Sequence, residues 1–193
     1  MRPRRHWLLS LFTRPAKRGD GFARDDRGAV AIEFGILALP FFTLIYAILE
    51  TSMVFLAGQV LDSAVNEASR KVRTGQAQTA SWSIDEFRSA MCNGLYGLFD
   101  CTNVKISVST VTTFKDANLS ATPVDEECKN DPSKCDWTIT EAFTPGVGSE
   151  VVLVRAYYKW PTIVNLPGFN LANMADGTRM LSAVRVFKIE PFS

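Results

Sequence analysis

The chain has 193 residues, with 21 Lys/Arg against 20 Asp/Glu and a formal net charge of +1, enough for one ordinary domain or a smaller one with extensions. The near-neutral total hides an asymmetry: residues 1–28 carry eight Lys/Arg against Asp20, Asp25 and Asp26, a net of +5, which leaves 13 basic and 17 acidic residues, a net of −4, for 29–193. Basic residues gathered ahead of an apolar run suit orientation in a membrane, and they exclude a nucleic-acid-binding protein, which needs them on a folded face beside aromatic or loop partners.

From Ala29 to Leu61 only Glu33 and Glu50 are charged, and Phe34 to Leu49 carries no charge. A bilayer span needs ~20 apolar residues, so one helix from about Val30 to Leu49–Phe55 qualifies, and no later stretch does. The basic head places residues 1–28 in the cytoplasm and sends 62–193 outward. An ordinary secretory signal does not fit. The basic region is too long, the apolar core exceeds its usual length, and Phe55 occupies a position before Ala57 where a small residue is wanted. Pro40 falls inside the span, where it removes a backbone donor and marks a kink or weak point. Glu50 lies 17 residues beyond Glu33, about 25 Å of helix rise. That reads as a carboxylate near the outer headgroups, with a helix-packing contact as the alternative.

Beyond the span Val60, Leu61, Ala64, Val65, Ala68 and Val72 keep helical spacing, with Asp62, Glu67, Arg70, Lys71 and Arg73 mostly elsewhere. The pattern predicts one long helix, amphipathic in its second half, stopping at Gly75. A second helix opens at Ser83, where "SIDE" has the form of a capping box with Glu86, and runs to about Asn93–Leu98. Strand signals follow. In Val104–Phe114, Val104, Ile106, Val108 and Phe114 share a face; in Val151–Trp160, Val152, Val154, Ala156, Tyr158 and Trp160 do so. Met180–Ile189 alternates poorly and reads as a more central strand, and "WTITEAF" (Trp137–Phe143) is a weak fourth. Residues 115–136 and Asn165–Thr178 read as loops. The fold class is α+β, with a helix packed on a small antiparallel sheet of three or four strands.

All four cysteines (Cys92, Cys101, Cys128, Cys135) lie in the outward part, as expected for disulfides in an oxidising compartment. Three pairings are open, and the close spacings favour Cys92–Cys101 and Cys128–Cys135. Those spacings are not zinc-like, and His6, the sole histidine, lies in the leader, so no metal or cofactor is expected. No nucleophile elbow or phosphate-binding glycine loop is present. The acidic "VDEEC" (Val124–Cys128) lacks the alternating ligands of a calcium loop. "YYKW" (Tyr157–Trp160) could offer a binding face, although alternation makes it half core. An enzyme is not indicated.

The opening of the span has a distinctive order: Gly28, then "AVAI", then Glu33 and Phe34. This resembles the processing site of type IV pilin-like precursors. The longer stretch "RGAVAIEFGILALP" (Arg27–Pro40) resembles the TadE-like family of tight-adherence (Flp-type) pilus assembly systems. "VRVFKIEPF" (Val184–Phe192) resembles that family's closing segment, with Lys188-Ile189 where Arg-Asn is usual. The resemblance covers about residues 27–61 and the last ten or so.

What it implies can also be argued chemically. A cut between Gly28 and Ala29 suits a cleft that tolerates no side-chain bulk. The product would begin with the Ala29 amine at the already positive end of a helix dipole. Glu33, one turn on, could neutralise that amine or a neighbouring subunit's, and the resemblance implies that it pairs between subunits and sets helix register. Alone, a glutamate at the cytoplasmic edge reads as a snorkelling interfacial residue; with Gly28, the basic leader and Phe34 beside it, the assembly reading prevails.

The expectation is therefore a pseudopilin or minor pilin-like component of a Flp-type pilus. Its parts are a cytoplasmic leader (1–28), a transmembrane helix (29–58) and a periplasmic disulfide-bonded domain (59–193). It would sit in a bacterial inner membrane or enter a pilus. Its partners would be prepilin peptidase, other pilin-like subunits, the inner-membrane assembly platform and the lipid bilayer, with no nucleic acid. The alternative is an uncleaved single-span anchor presenting an extracytoplasmic binding domain.

Overall fold

The computed structural model describes residues 26–166 and 169–192; most of the basic leader, His6 included, lies outside the described residues. The chain divides into two compact units, Met1–Leu44 and Ile45–Ser193. Helix α1 (Asp26–Arg73) contributes to both.

In the first unit residues 26–44 are helical throughout, and α1 continues through Pro40. The side chains of Val30, Ile32, Phe34, Ile36, Leu37 and Leu39 are 64–72% exposed. A helix that is apolar all round and uncovered needs lipid or other helices as its solvent. Its length and hydropathy suffice to cross a membrane, which makes the chain a single-pass membrane protein by length and composition.

In the second unit α1 becomes one-sided. Val54, Ala57, Leu61, Ala64, Val65, Ala68 and Val72 are buried, three and four residues apart, which keeps them on one stripe; Val60 sits at its margin. The helix ends at Arg73, and Gly75 takes φ 79° to turn the chain into the short α2 (Gln76–Thr79). Only glycine adopts that conformation without strain. The end of the helix is also covered by the end of the chain. The Glu190 amide donates to the Arg73 carbonyl at 2.9 Å, satisfying one of the orphan acceptors of a helix C-terminus. A Cβ on Gly75 would come within 2.5 Å of the Phe192 ring. Helix α3 (Ile84–Cys92) opens with the expected capping box between Ser83 and Glu86 and buries Phe87 and Met91. Close behind it, a Cβ at Gly94 would meet Ala64 of α1 at 3.1 Å, so the small residues on both sides set the approach.

The sheet comprises β1 (Lys105–Val111), β2 (Ala142–Phe143), β3 (Val151–Pro161) and β6 (Thr178–Lys188), in the order β2-β1-β3-β6. A separate two-stranded hairpin joins β4 (Asn165–Leu166) to β5 (Phe169–Asn170). Strand β3 pairs antiparallel with β1 (Val154 opposite Val108) and with β6 (Ala156 opposite Ala183). Ile106, Val108, Val152, Val154, Ala156, Leu181 and Ala183 meet the α1 stripe and α3 in one core.

Three expectations are corrected. β2 pairs parallel to β1, so the sheet is mixed rather than antiparallel; the segment 112–141 forms the crossover that parallel pairing requires. β6 is an edge strand, and β3 is the strand buried on both faces, with Val151, Leu153 and Tyr157 also covered. β6 alternates poorly because its core face carries Arg185, whose guanidinium reaches Asp62 of α1 at 2.5 Å, while Val184 and Val186 point the other way. Finally, β1 stops at Val111. Thr113 and Asp116 form a capping box on the turn Phe114–Asp116, which leaves Phe114 exposed rather than on the core face.

The second face of the sheet is covered by the 112–141 segment. Tyr157 donates its hydroxyl to the Ala121 carbonyl at 3.0 Å. Lys159 donates to the Cys135 carbonyl and lies over the Trp137 ring at 4.9 Å. Cys128, Cys135 and Met174 form a second small cluster there. The disulfides are Cys92–Cys101 and Cys128–Cys135.

Glu141, next to β2, ties these parts together. Its carboxylate receives Arg88 of α3 at 2.6 Å and the Ile106 amide of β1 at 3.1 Å, and Lys105 stands 3.8 Å away. Partial burial pushes its pKa up, but the Arg88 hydrogen bond, the Ile106 amide and the charges of Arg88 and Lys105 outweigh that and hold it below the ordinary glutamate value. A depressed carboxylate contributes stability that is present above the unfolded pKa and lost as pH falls through the folded one. Urea unfolding of the wild type should therefore lose stability with falling pH through and below the ordinary glutamate range, and Glu141→Gln should flatten that acid limb. Independently, Gly75→Val should cost on the order of 1–2 kcal/mol for the left-handed backbone, with more from the Phe192 clash, read as a lower unfolding midpoint in the same assay.

Candidate functional site

Two carboxylates interrupt the apolar run of α1, and the structure treats them differently. Gly28 lies in the first turn of α1, two residues after its start at Asp26. A Cβ added there would meet nothing within 4 Å. Ala29 follows in the same turn, and its side chain lies outside the described ones. Glu33, four residues on and so on the same face, is exposed, and Phe34 is 69% exposed. Among the described residues, no salt bridge involves Glu33. The helix thus brings Gly28, Ala29, Glu33 and Phe34 within about two turns of one another, and among the described residues Gly28, Glu33 and Phe34 are exposed.

Glu50 is the opposite case and corrects the expectation of an open interfacial carboxylate. It is only 8% exposed. Its Oε1 accepts the Ile163 amide at 2.5 Å and the Val164 amide at 3.1 Å, and Oε2 stands 3.1 Å from the same Val164 nitrogen. The carboxylate is thereby satisfied by backbone donors of the chain leaving β3, and it pins that chain to α1. A buried anion with donors aimed at it is a stabilising arrangement; the same anion without them would carry a large desolvation penalty. A lone charge between Phe34 and Leu61 was the signal for this contact, but its partners lie over a hundred residues away.

Residues 28–70 match the family of TadE-like proteins. The TadE-like segment opens at Gly28, takes in Glu33, Phe34 and Glu50, and runs along α1 to Arg70; the sheet, both disulfides and the closing segment lie outside it. No curated protein and no solved structure matches the chain.

Outside the TadE-like segment the remaining candidates serve the fold. Asp125 caps the turn Glu126–Lys129 by accepting the Glu127 amide at 2.9 Å, so the acidic cluster is a capped surface turn. In "YYKW", Tyr158 and Trp160 pack edge-on against Phe99, with ring centroids 4.9 and 5.5 Å away, while Tyr157 and Lys159 hold the opposite face. Among the described residues, no three His, Cys, Asp or Glu side chains gather as a metal site would require.

Glu50→Ala leaves the Ile163 and Val164 amides without their acceptor. Hydrogen bonds to a charged group contribute about 1.5–3 kcal/mol, and 1.4 kcal/mol is about tenfold in an equilibrium, so exchange at these two amides should accelerate roughly 10- to 100-fold. Hydrogen exchange of the membrane-reconstituted chain checks this; unchanged protection at 163–164 would mean that other contacts hold the segment.

Proposed function

We propose that the protein is a pilin-like structural subunit in the biogenesis of a tight-adherence (Flp-type) pilus, matured by a prepilin peptidase that cuts after Gly28. The observation that carries this reading is the TadE-like match over residues 28–70, which takes in the one helix among the described residues that is long and apolar enough to span a membrane. In this reading 1–28 is a cytoplasmic leader, 29–58 the span and 59–193 a periplasmic domain, in keeping with two disulfides beyond the span. Its partners are the peptidase, other pilin-like subunits and the assembly platform in the inner membrane. The protein is a substrate of processing and a building unit rather than a catalyst.

The local chemistry supports the assignment. No described residue crowds Gly28, so a requirement for glycine there would come from the peptidase cleft. Removing the first turn of α1 would leave the Ala29 amine at the positive end of the helix dipole. Glu33 lies one turn further along, on the same face. Its carboxylate can offset that amine within the subunit or reach the amine of the next one, fixing the axial register of neighbouring helices.

The test is the N-terminus of the mature chain, read by mass spectrometry of protein from its native host. The expected species begins at Ala29. Gly28→Val should accumulate as full-length precursor with unchanged thermal stability, because the substitution meets no atom of the fold. Glu33→Ala should still be cleaved but should abolish or sharply reduce pilus assembly. A chain that keeps its leader beside an active prepilin peptidase would sink the processing claim and leave an uncleaved anchor presenting its domain.

A further inference from the structure

Ile163 is 75% exposed, yet its amide is held by a buried carboxylate on α1. That combination fixes where an exposed apolar side chain stands along the helix. Beyond Glu50, α1 still exposes Met53, Phe55 and Leu56, the second at 69%. The exposed apolar run therefore extends from Val30 to Leu56, about 40 Å of helix rise, against a hydrocarbon core of ~30 Å. With its start at the inner edge of the core, a run of this length would bring its last turns to the level of the outer headgroups. Glu50 lies at the start of those turns, so the segment it clamps lies at the same level.

The segment has a composition to match. No charged residue occurs between Lys159 and Asp176, the longest such stretch after α1, and it includes Ile163, Val164, Leu166, Phe169 and Leu171 interleaved with asparagines. Neutral polar and apolar residues in alternation suit the membrane interface, where apolar side chains reach the acyl boundary and hydrogen-bonding groups are still satisfied by headgroups and water. A groove of about 300 Å³ lies between the segment and the helix, lined by Thr51, Val54, Phe55, Gly58, Leu171 and Leu181. Beside it, Arg179 donates to the Leu171 carbonyl at 2.9 Å and places a cation where a lipid phosphate would lie.

We propose that the segment leaving β3 at residues 162–166, clamped to α1 by Glu50 at Ile163 and Val164, forms with Phe169–Leu171 a second membrane contact, resting in the headgroup layer at the C-terminal end of the span. The partner is a phospholipid surface, and the contact orients the folded unit on the bilayer. This requires the span but not the pilus role.

All four native cysteines are disulfide-bonded, so a single added cysteine can carry a nitroxide. The full chain is placed, one copy per disc, in phosphatidylethanolamine–phosphatidylglycerol nanodiscs with labels at Ile163→Cys, at Phe42→Cys within the span, and at Leu119→Cys, an exposed position in the 112–141 segment. Collision with oxygen, which partitions into lipid, is compared with collision with a water-soluble nickel chelate. The label at 163 should be several-fold less accessible to nickel than the label at 119, and more accessible to oxygen. Adding Glu50→Ala should return it toward the value at 119. Nickel accessibility at 163 equal to that at 119, with a lipid-buried label at 42, would overturn the membrane contact alone. Shielding from both reagents would overturn it in favour of a protein surface. A water-exposed label at 42 would overturn the span and the contact with it.

Discussion

Helix α1 must satisfy two solvents along a single continuous helix. Up to Leu49 its large apolar residues are exposed on all sides, which is stable only in lipid or among other helices. From Val54 to Val72 the same helix narrows to a single buried stripe on which α3 and the sheet are assembled. Alanines at 57, 64 and 68 keep that stripe flat, and Gly94 accepts the closeness it creates at Ala64. Larger residues there would push α3 away from the helix and open the core around Phe87 and Met91.

Because one helix carries the core, both of its junctions are secured by distant parts of the chain. At the end of α1 the closing residues supply a backbone donor to Arg73, an Arg73–Glu190 ion pair at 3.3 Å and the Phe192 ring over Gly75. The ion pair is half-exposed and contributes little by itself; the amide donor and the ring are the effective contacts. Near the start of the buried stripe Glu50 holds the chain leaving β3. The second unit is thus closed along α1 by contacts that span most of its sequence length. Glu141 does the same work across the sheet, joining α3, β1 and the approach to β2.

What could be read from the sequence was local. The Ser83–Glu86 capping box, the stop at Gly75 and the two short-range disulfides depend on residues within ten positions of one another, where spacing carries the geometry. The stripe of α1 and the inward face of β3 were legible for the same reason, since each is a periodicity of one element. The parallel pairing of β2, the edge position of β6 and the clamp at Glu50 were not. β2 is two residues long and takes its partner after a long crossover, so no periodicity could announce it. β6 mixes Arg185 into its core face because a carboxylate on another element, Asp62, waits there. Phe114 was placed on a core face by simple alternation, but a side-chain cap at Thr113 ended the strand first.

The two carboxylates of the apolar run make the strongest argument about what the fold leaves unfinished. Glu50 and Glu33 face the same problem, an anion on a helix built for lipid, where an unpaired charge is expensive. Glu50 is solved internally by two backbone amides. Glu33 stands on the exposed surface of α1 near Gly28 and the start of the helix, and among the described residues it has no ionic partner. The proposed cut supplies the missing partner by chemistry rather than by folding: it creates an amine at Ala29, one helical turn away and on the same face, that the precursor does not have. On that reading the Ala29 amine is a partner for Glu33 that comes into being only when the leader is removed and helices come together.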